Sequence, residues 1–475
     1  MGSPTDVARS GFDEEKSSSS LDAAALGSSK LTQKDLYRTA WAASLGSALE
    51  YYDFALYNLA SALIFGPLFF PSSDPAVGLI ASFGTFFVGF AVRPIGGVIF
   101  GSLGDRLGRK FALIATIVLM GLASTLIGVL PIYATAGYWA PAMLVALRML
   151  QGLGAGAEQA GAAVLMAECA PPERRGYFAS LPFVGVEFGT VLAALIYFLI
   201  FLRIEKTPQN WMWRVPFLLS FVIIAFAIWM RLKLKESPAF KKLEELHQVD
   251  QHPFLHLMKN SKKGVLLVMG LRMGEAGGSS IYQSLAISYM VGVMGLTSHA
   301  GTFALMLSAL VGAVVIPITG LLSDRFGRVV VYRGFAIYQL LIAFPAWWVL
   351  SRGDQSSSVI ALSLALIAVW GMLATQGALL PEIFGARHRY IGVAAGREIT
   401  AVVGGGVAPL IGAFIIGWTA AHHGGGKQAA MLAWIPLAGY VAILSLISVV
   451  TTFYVTESRG RDLSELTDAG QQSTV

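Results

Sequence analysis

The decapeptide GSLGDRLGRK at 101–110 returns as GLLSDRFGRV at 320–329, an offset of 219 residues. Two further pairs keep nearly the same spacing. MAECAPPERRG carries Glu168 and Arg175, and LPEIFGARHRY carries Glu382 and Arg389, 214 residues on. KESPAF (235–240) is matched by VTESRG (455–460), with their glutamates 221 apart. Three matched pairs at an almost constant offset describe one unit duplicated in parallel. Its halves should be related by an axis along a membrane normal, with a cavity between them.

What surrounds these motifs is hydrocarbon. Over 475 residues the mean hydropathy is +0.65, with 55% hydrophobic and 13% charged residues. A soluble domain carries about 25% charge, so too little polar surface remains to wet a globule and lipid must cover the outside. A crossing helix needs about 20 apolar residues, and lipid cannot satisfy free backbone polar groups, so the spans must be helical. Twelve candidates are legible: 38–66, 75–102, 110–131, 138–169, 177–203, 212–235, 264–293, 299–322, 330–351, 356–385, 391–418 and 430–455. The expected class is an all-α membrane protein of twelve transmembrane helices in two six-helix bundles. Residues 1–35, Ser-rich and without an apolar core, read as a disordered tail. Bundles are expected over 36–235 and 264–456, joined by a polar linker at 236–263 with amphipathic character, and followed by a tail at 457–475.

With the N-terminus inside, the inner tails and loops hold 25 Lys and Arg and the outer loops five. The positive-inside rule then puts both termini in the cytoplasm, in a cell inner membrane. The net charge of +6 reflects this topology and needs no nucleic-acid partner. One cysteine, Cys169, excludes an internal disulfide, and the seven histidines lie in loops or near helix ends. No metal site is expected. No phosphate-cradling G-x-x-x-x-G-K-[ST] run occurs, so no ATP site is expected. Nor is there a nucleophile–base pairing or a soluble domain to suit an enzyme or receptor.

Charges inside the spans carry the functional argument, since each costs about 2.5–3.5 kcal/mol on insertion scales. The arginines are Arg93, Arg148, Arg272 and Arg397; the acids are Glu50, Asp53, Glu158, Glu187, Glu275 and Glu398. Glu50, Asp53 and Tyr57 fall at i, i+3 and i+7 and share one helix face. Asp53 and Glu50 are therefore the expected proton sites, with Arg148 as the cation whose approach would release the proton, and Glu158 as a further coupling candidate. In span seven, Arg272 either offers a carboxylate fork to a solute or is neutralised by Glu275 three residues on. Tyr57, Arg93, Arg272, Glu275, Tyr282 and Gln283 are the candidate solute contacts. At the inner face, Asp105 and Arg109 with Glu168 and Arg174 or Arg175 are expected to form one ionic cluster. Asp324, Arg328, Glu382 and Arg389 are expected to form its twin, the two acting as a gate. Trp347 and Trp348 are placed in the outer aromatic belt.

The doubled G-x-x-x-D-R-x-G-R loop resembles the major facilitator superfamily, over about 36–457. GSALEYYDFALY, FFPSSDP (69–75), AVRPIGGVIFGSLGDRLGRK and RMLQGLGAGAEQAGA are similar to its metabolite:proton symporter family, which includes proline/betaine, citrate, α-ketoglutarate and shikimate symporters. The resemblance implies alternating access driven by protons, no cofactor, and R-x-x-Q-G at Arg148 as a coupling motif. Buried acids and arginines then favour proton symport of an organic acid, the partner being a small, anionic solute handled by a monomer. A zwitterion such as proline or betaine is the alternative, though the long coiled-coil extension of that branch is missing. A sugar-type facilitator lacks its Gln-rich span seven here, and GVEFG (185–189) lacks the Gly-Pro pair of drug antiporters.

Overall fold

The computed structural model describes residues 32–469 except 73–74, 108, 156–157, 205–210, 233–256, 258–260, 387–388, 464 and 466. Residues 1–31 of the expected disordered tail (1–35) and most of the linker at 236–263 fall outside the described residues, while Gln33–Asp35 already belong to the first helix. So do the side chains of Asp105, Arg109 and Glu158.

Among the described residues, the long helices group into twelve segments. They are α1 (Gln33–Leu63), α2 (Pro75–Ala91, then Arg93–Leu107), α3 (Arg109–Ile127), α4 (Trp139–Ala155, then Glu158–Cys169), α5 (Arg175–Ile204) and α6 (Val215–Leu232). The second set is α7 (Lys262–Ser280, extended to Val293), α8 (Ser298–Phe326), α9 (Arg328–Leu350), α10 (Gln355–Ile383), α11 (Arg389–Thr400, extended to His422) and α12 (Trp434–Thr452). Among the described residues, α2, α5, α6 and α8 to α12 each supply a stretch long and apolar enough to cross a bilayer by composition alone. The apolar part of α3 is short, Ile114–Ile127. α1, α4 and α7 carry Asp53, Arg148 and Arg272, all turned into the protein.

The duplication is visible in the packing. α1 lies on α5 as α7 lies on α11, α2 on α4 as α8 on α10, and α3 on α4 and α6 as α9 on α10 and α12. The halves meet along two equivalent seams, α5 against α8 and α2 against α11. Small residues set these close approaches. A Cβ on Gly320 of α8 would stand 2.5 Å from Ser180 Oγ and 2.8 Å from the Gly176 carbonyl of α5. On α11, Gly406 presses on Phe90 of α2, where a Cβ would sit 2.9 Å from that side chain.

Among the described residues, wide helical turns fall in the second half. α7 widens to i→i+5 turns at Ile281–Leu285 and Tyr289–Val293, and α11 does so over Ala401–Gly406. Such wide turns recur at functional positions. Termini are capped by local side chains: Thr297 accepts from the Ala300 N–H at 3.3 Å and Asp354 from Ser357 at 2.8 Å, the ordinary N-cap geometry. The aromatic-belt expectation needs a correction. Trp348 is exposed, but Trp347 is wholly buried, stacked on Tyr282 at 6.2 Å and edge-on to Tyr289 at 5.5 Å. Adjacent helix positions point about 100° apart, so one of two neighbouring tryptophans faces lipid and the other the core.

Candidate functional site

In the first half, α1 delivers Glu50, Asp53 and Tyr57 to the interior, all buried. Asp53 Oδ1 accepts a hydrogen bond from Ser220 Oγ of α6 at 2.7 Å. Tyr57 donates to Thr85 Oγ1 of α2 at 2.7 Å. Over the Tyr57 ring lies the Arg148 guanidinium, its Cζ 3.9 Å from the centroid, with Phe86 at 5.3 Å and Phe54 at 5.6 Å. The aromatic faces stabilise the cation without supplying counter-charge. Arg148 Nη1 donates to Gln151 Oε1, and Gln151 passes a 2.8 Å hydrogen bond to Ser124 of α3. Arg148 is fully buried, and among the described residues its Nε and Nη2 have no hydrogen-bond partner. Gly89 of α2 makes the space, since a Cβ there would lie within 2.8 Å of Arg148 Cδ and Cζ. Asp53 and Arg148 thus occupy one polar core without forming an ion pair. Beside Asp53, a cavity of about 20 Å³ between α1, α3 and α6 has Glu50 and Asp53 as its acidic lining. That is room for about one water.

The second half answers the alternatives left open for α7. Arg272 Nη1 lies 3.3 Å from Glu275 Oε2 and donates to Gln376 Oε1 of α10 at 3.0 Å. Gln376 closes the triangle by donating to Glu275 Oε2 at 3.3 Å. Arg272 is therefore neutralised in this state: of the two alternatives, the pairing with Glu275 is the one the fold takes. Tyr282 is buried with its hydroxyl unpartnered, while Gln283 turns back onto Ser279 Oγ at 2.5 Å. Arg93 is no open solute ligand here either. Its Nε lies 2.9 Å from Glu398 Oε2 of α11, an ion pair that spans the two halves.

The face that holds the start of α1 and the end of α12 is bridged by charge. Arg175 pairs with Glu382 at 2.9 Å, and Arg328 reaches Asp324 at 2.7 Å and Glu382 at 3.4 Å. Arg389 pairs with Glu168 at 2.8 Å. The expected pair of separate clusters is corrected by this pattern: Arg175 and Glu168 of the first half take partners from the second. Asp324 also accepts from the Gly176 and Tyr177 N–H groups, each at 2.8 Å, so a carboxylate of α8 caps α5, where a helix N-terminus favours an anion. Sequence reading missed Ser220, Ser124 and Gln376, because no pattern tells a buried hydroxyl or amide from an ordinary helix residue. It also missed the tail. Ser458 donates to Glu382 at 2.7 Å, Glu457 caps α9 at the Arg328 N–H at 2.8 Å, and the Arg461 carbonyl accepts from Arg175 at 2.9 Å. The VTESRG repeat was the available signal for the first two.

Comparison with known proteins agrees with this architecture. Residues 39–252 match the family model described as Sugar (and other) transporter. The Escherichia coli (strain K12) protein YdfJ is 37% identical over 88% of this chain and 96% of its own length. The shikimate transporter of the same strain is 35% identical over 89% of this chain and 95% of its own. A solved D-xylose-proton symporter superposes with a TM-score of 0.64 at 18% identity, covering 89% of this chain and 99% of that one. At that identity the likeness is one of fold.

Proposed function

Because the chain belongs to the major facilitator superfamily of membrane transporters, we propose that it is a proton-coupled symporter taking up a small organic acid by alternating access. The observation that carries this reading is Arg148: a sealed guanidinium whose Nε and Nη2 are unpartnered among the described residues and which forms no ion pair with them. A buried cation outside any ion pair is costly and selects for an anion, which a guanidinium binds by charge-assisted, often bidentate hydrogen bonds. Resemblance to a shikimate transporter supports an acidic solute.

Asp53 is the proton carrier in this proposal. Its carboxylate accepts from the Ser220 hydroxyl, and the charge on the acid is governed by how near Arg148 comes. Desolvation favours a neutral carboxyl and a neighbouring guanidinium favours the charged one. A solute that occupies Arg148 removes that neighbour from Asp53, which links proton uptake to solute uptake. Glu50 and the small cavity beside it supply a place for a relaying water.

We further propose that the charged face with both termini is cytoplasmic, as the Lys and Arg asymmetry requires, and that the pairs Arg175–Glu382 and Glu168–Arg389 open when the solute is released there. The protein would act as a monomer. A zwitterion is the second reading, because the Arg272–Glu275–Gln376 triangle offers both signs of charge to a solute that parts it. The test is uptake into proteoliposomes, with and without an imposed pH gradient, of carboxylic acids and their uncharged amides. Accumulation of acids alone, driven by inside-alkaline vesicles, supports the organic-acid reading. Equal transport of acid and amide, or indifference to the gradient, overturns it.

A further inference from the structure

Glu187 has no role in the scheme above. It sits near the middle of α5, fully buried, and neither carboxyl oxygen has a hydrogen-bond partner among the described residues. Gly185 and Gly189, two residues to either side, press on α1 at the Ser44 and Ala48 carbonyls. Two residues along a helix is about 200°, so Glu187 points the other way, into the seam with the second half. What it meets there is Gly312 of α8 and Trp370 of α10. A Cβ on Gly312 would stand 3.0 Å from Glu187 Oε2 and 2.5 Å from Trp370 Nε1. The Trp370 indole N–H is also buried without a partner. An acceptor and a donor thus sit beside the same glycine and do not satisfy each other.

Buried polar groups in folded proteins are nearly always partnered, and an orphaned pair in a seam that must part during transport calls for an outside partner. The chemistry narrows which. A second carboxylate would suit Trp370 but be repelled by an ionised Glu187, and against a protonated one it would leave the Glu187 carbonyl oxygen unmet. An ammonium group would suit Glu187 and leave the indole unmet. A hydroxyl donates once and accepts twice, so a single hydroxyl satisfies both. Gly312, with no side chain, leaves the approach open once α8 withdraws.

We infer that Glu187 and Trp370 form a hydroxyl-reading subsite between α5, α8 and α10, and that the carried solute is hydroxylated. For the carboxylate end of that solute the inference rests on the organic-acid reading; the hydroxyl end stands on Glu187, Trp370 and Gly312 alone. A site built to bond a hydroxyl discriminates strongly against the analogue lacking it.

The experiment measures uptake by the full-length protein in proteoliposomes for matched pairs: malate against succinate, lactate against propionate, and 3-hydroxycyclohexanecarboxylate against cyclohexanecarboxylate. At least one pair should show a kcat/KM ratio above about tenfold in favour of the hydroxylated member. Glu187→Leu and Trp370→Phe should each bring that ratio close to one while uptake of the deoxy acid persists. Glu187→Gln, nearly isosteric and still an acceptor, should keep an intermediate ratio and guards against loss through misfolding. A wild type indifferent to the hydroxyl in every transported pair overturns the inference, as does a preference that survives both Glu187→Leu and Trp370→Phe. If no acid is carried but proline is, the organic-acid reading falls, and 4-hydroxyproline against proline makes the same comparison.

Discussion

Glu382→Gln should loosen the closed gate by about two orders of magnitude. The carboxylate is fully buried and holds three groups: Arg175 at 2.9 Å, Arg328 at 3.4 Å and Ser458 at 2.7 Å. Removing one partner of a buried ion pair costs about 3–5 kcal/mol, because the other charge is left uncompensated. Gln keeps the shape and one acceptor oxygen, which argues for the low end. Arg328 also retains Asp324, so the stranded cation is chiefly Arg175. Opening the face lets water reach Arg175, so the open state escapes most of this penalty. A difference of about 3 kcal/mol between open and closed is about a hundredfold in their ratio. Cysteine labelling reads this directly. Cys169 is the chain's one cysteine, so Cys169→Ser gives a clean background. Ser180, buried on α5 in the seam above the gate, becomes a near-isosteric reporter as Ser180→Cys. In detergent, maleimide labelling at position 180 should run at least tenfold faster with Glu382→Gln than without it, at matched melting temperature. Equal rates would refute the view that these ion pairs hold the face shut.

Three other outcomes are expected. Asp53→Asn should abolish accumulation driven by a pH gradient while sparing expression and solute exchange; full concentrative uptake in that variant would remove Asp53 from coupling. Arg93→Ala should slow transport severely, and the double change Arg93→Glu with Glu398→Arg should recover more activity than either single reversal, as a double-mutant cycle on a direct pair requires; absence of coupling would make the 2.9 Å contact incidental. Arg272→Lys should be mild, within about threefold in KM for a carboxylate, because Glu275 and Gln376 already engage the guanidinium in the closed state and Lys can keep the ion pair with Glu275; a KM rise above tenfold would reinstate Arg272 as a solute ligand.

The sequence alone determined the class, the number of helices and the duplication. Those properties are local or periodic: apolar run length, charge in the connecting loops, and motifs returning at a fixed offset. It also determined which charges are expensive enough to need a purpose, since an ionised group in a span is costly whatever surrounds it. Tertiary structure decided the partners. Arg175 and Glu168 look for mates within their own half when read as sequence, yet the folded chain gives them Glu382 and Arg389 across the seam. Arg272 could be paired or open by spacing alone, and Gln376, a hundred residues away, settles it as the third corner of a closed triangle. Glu187 and Glu50 are equally costly acids on paper. Only the packing of α5 on α8 and α10 shows that Glu187 meets an orphaned indole, because a residue's neighbours across a helix interface depend on crossing geometry and rotation about the helix axis, which no window of sequence contains.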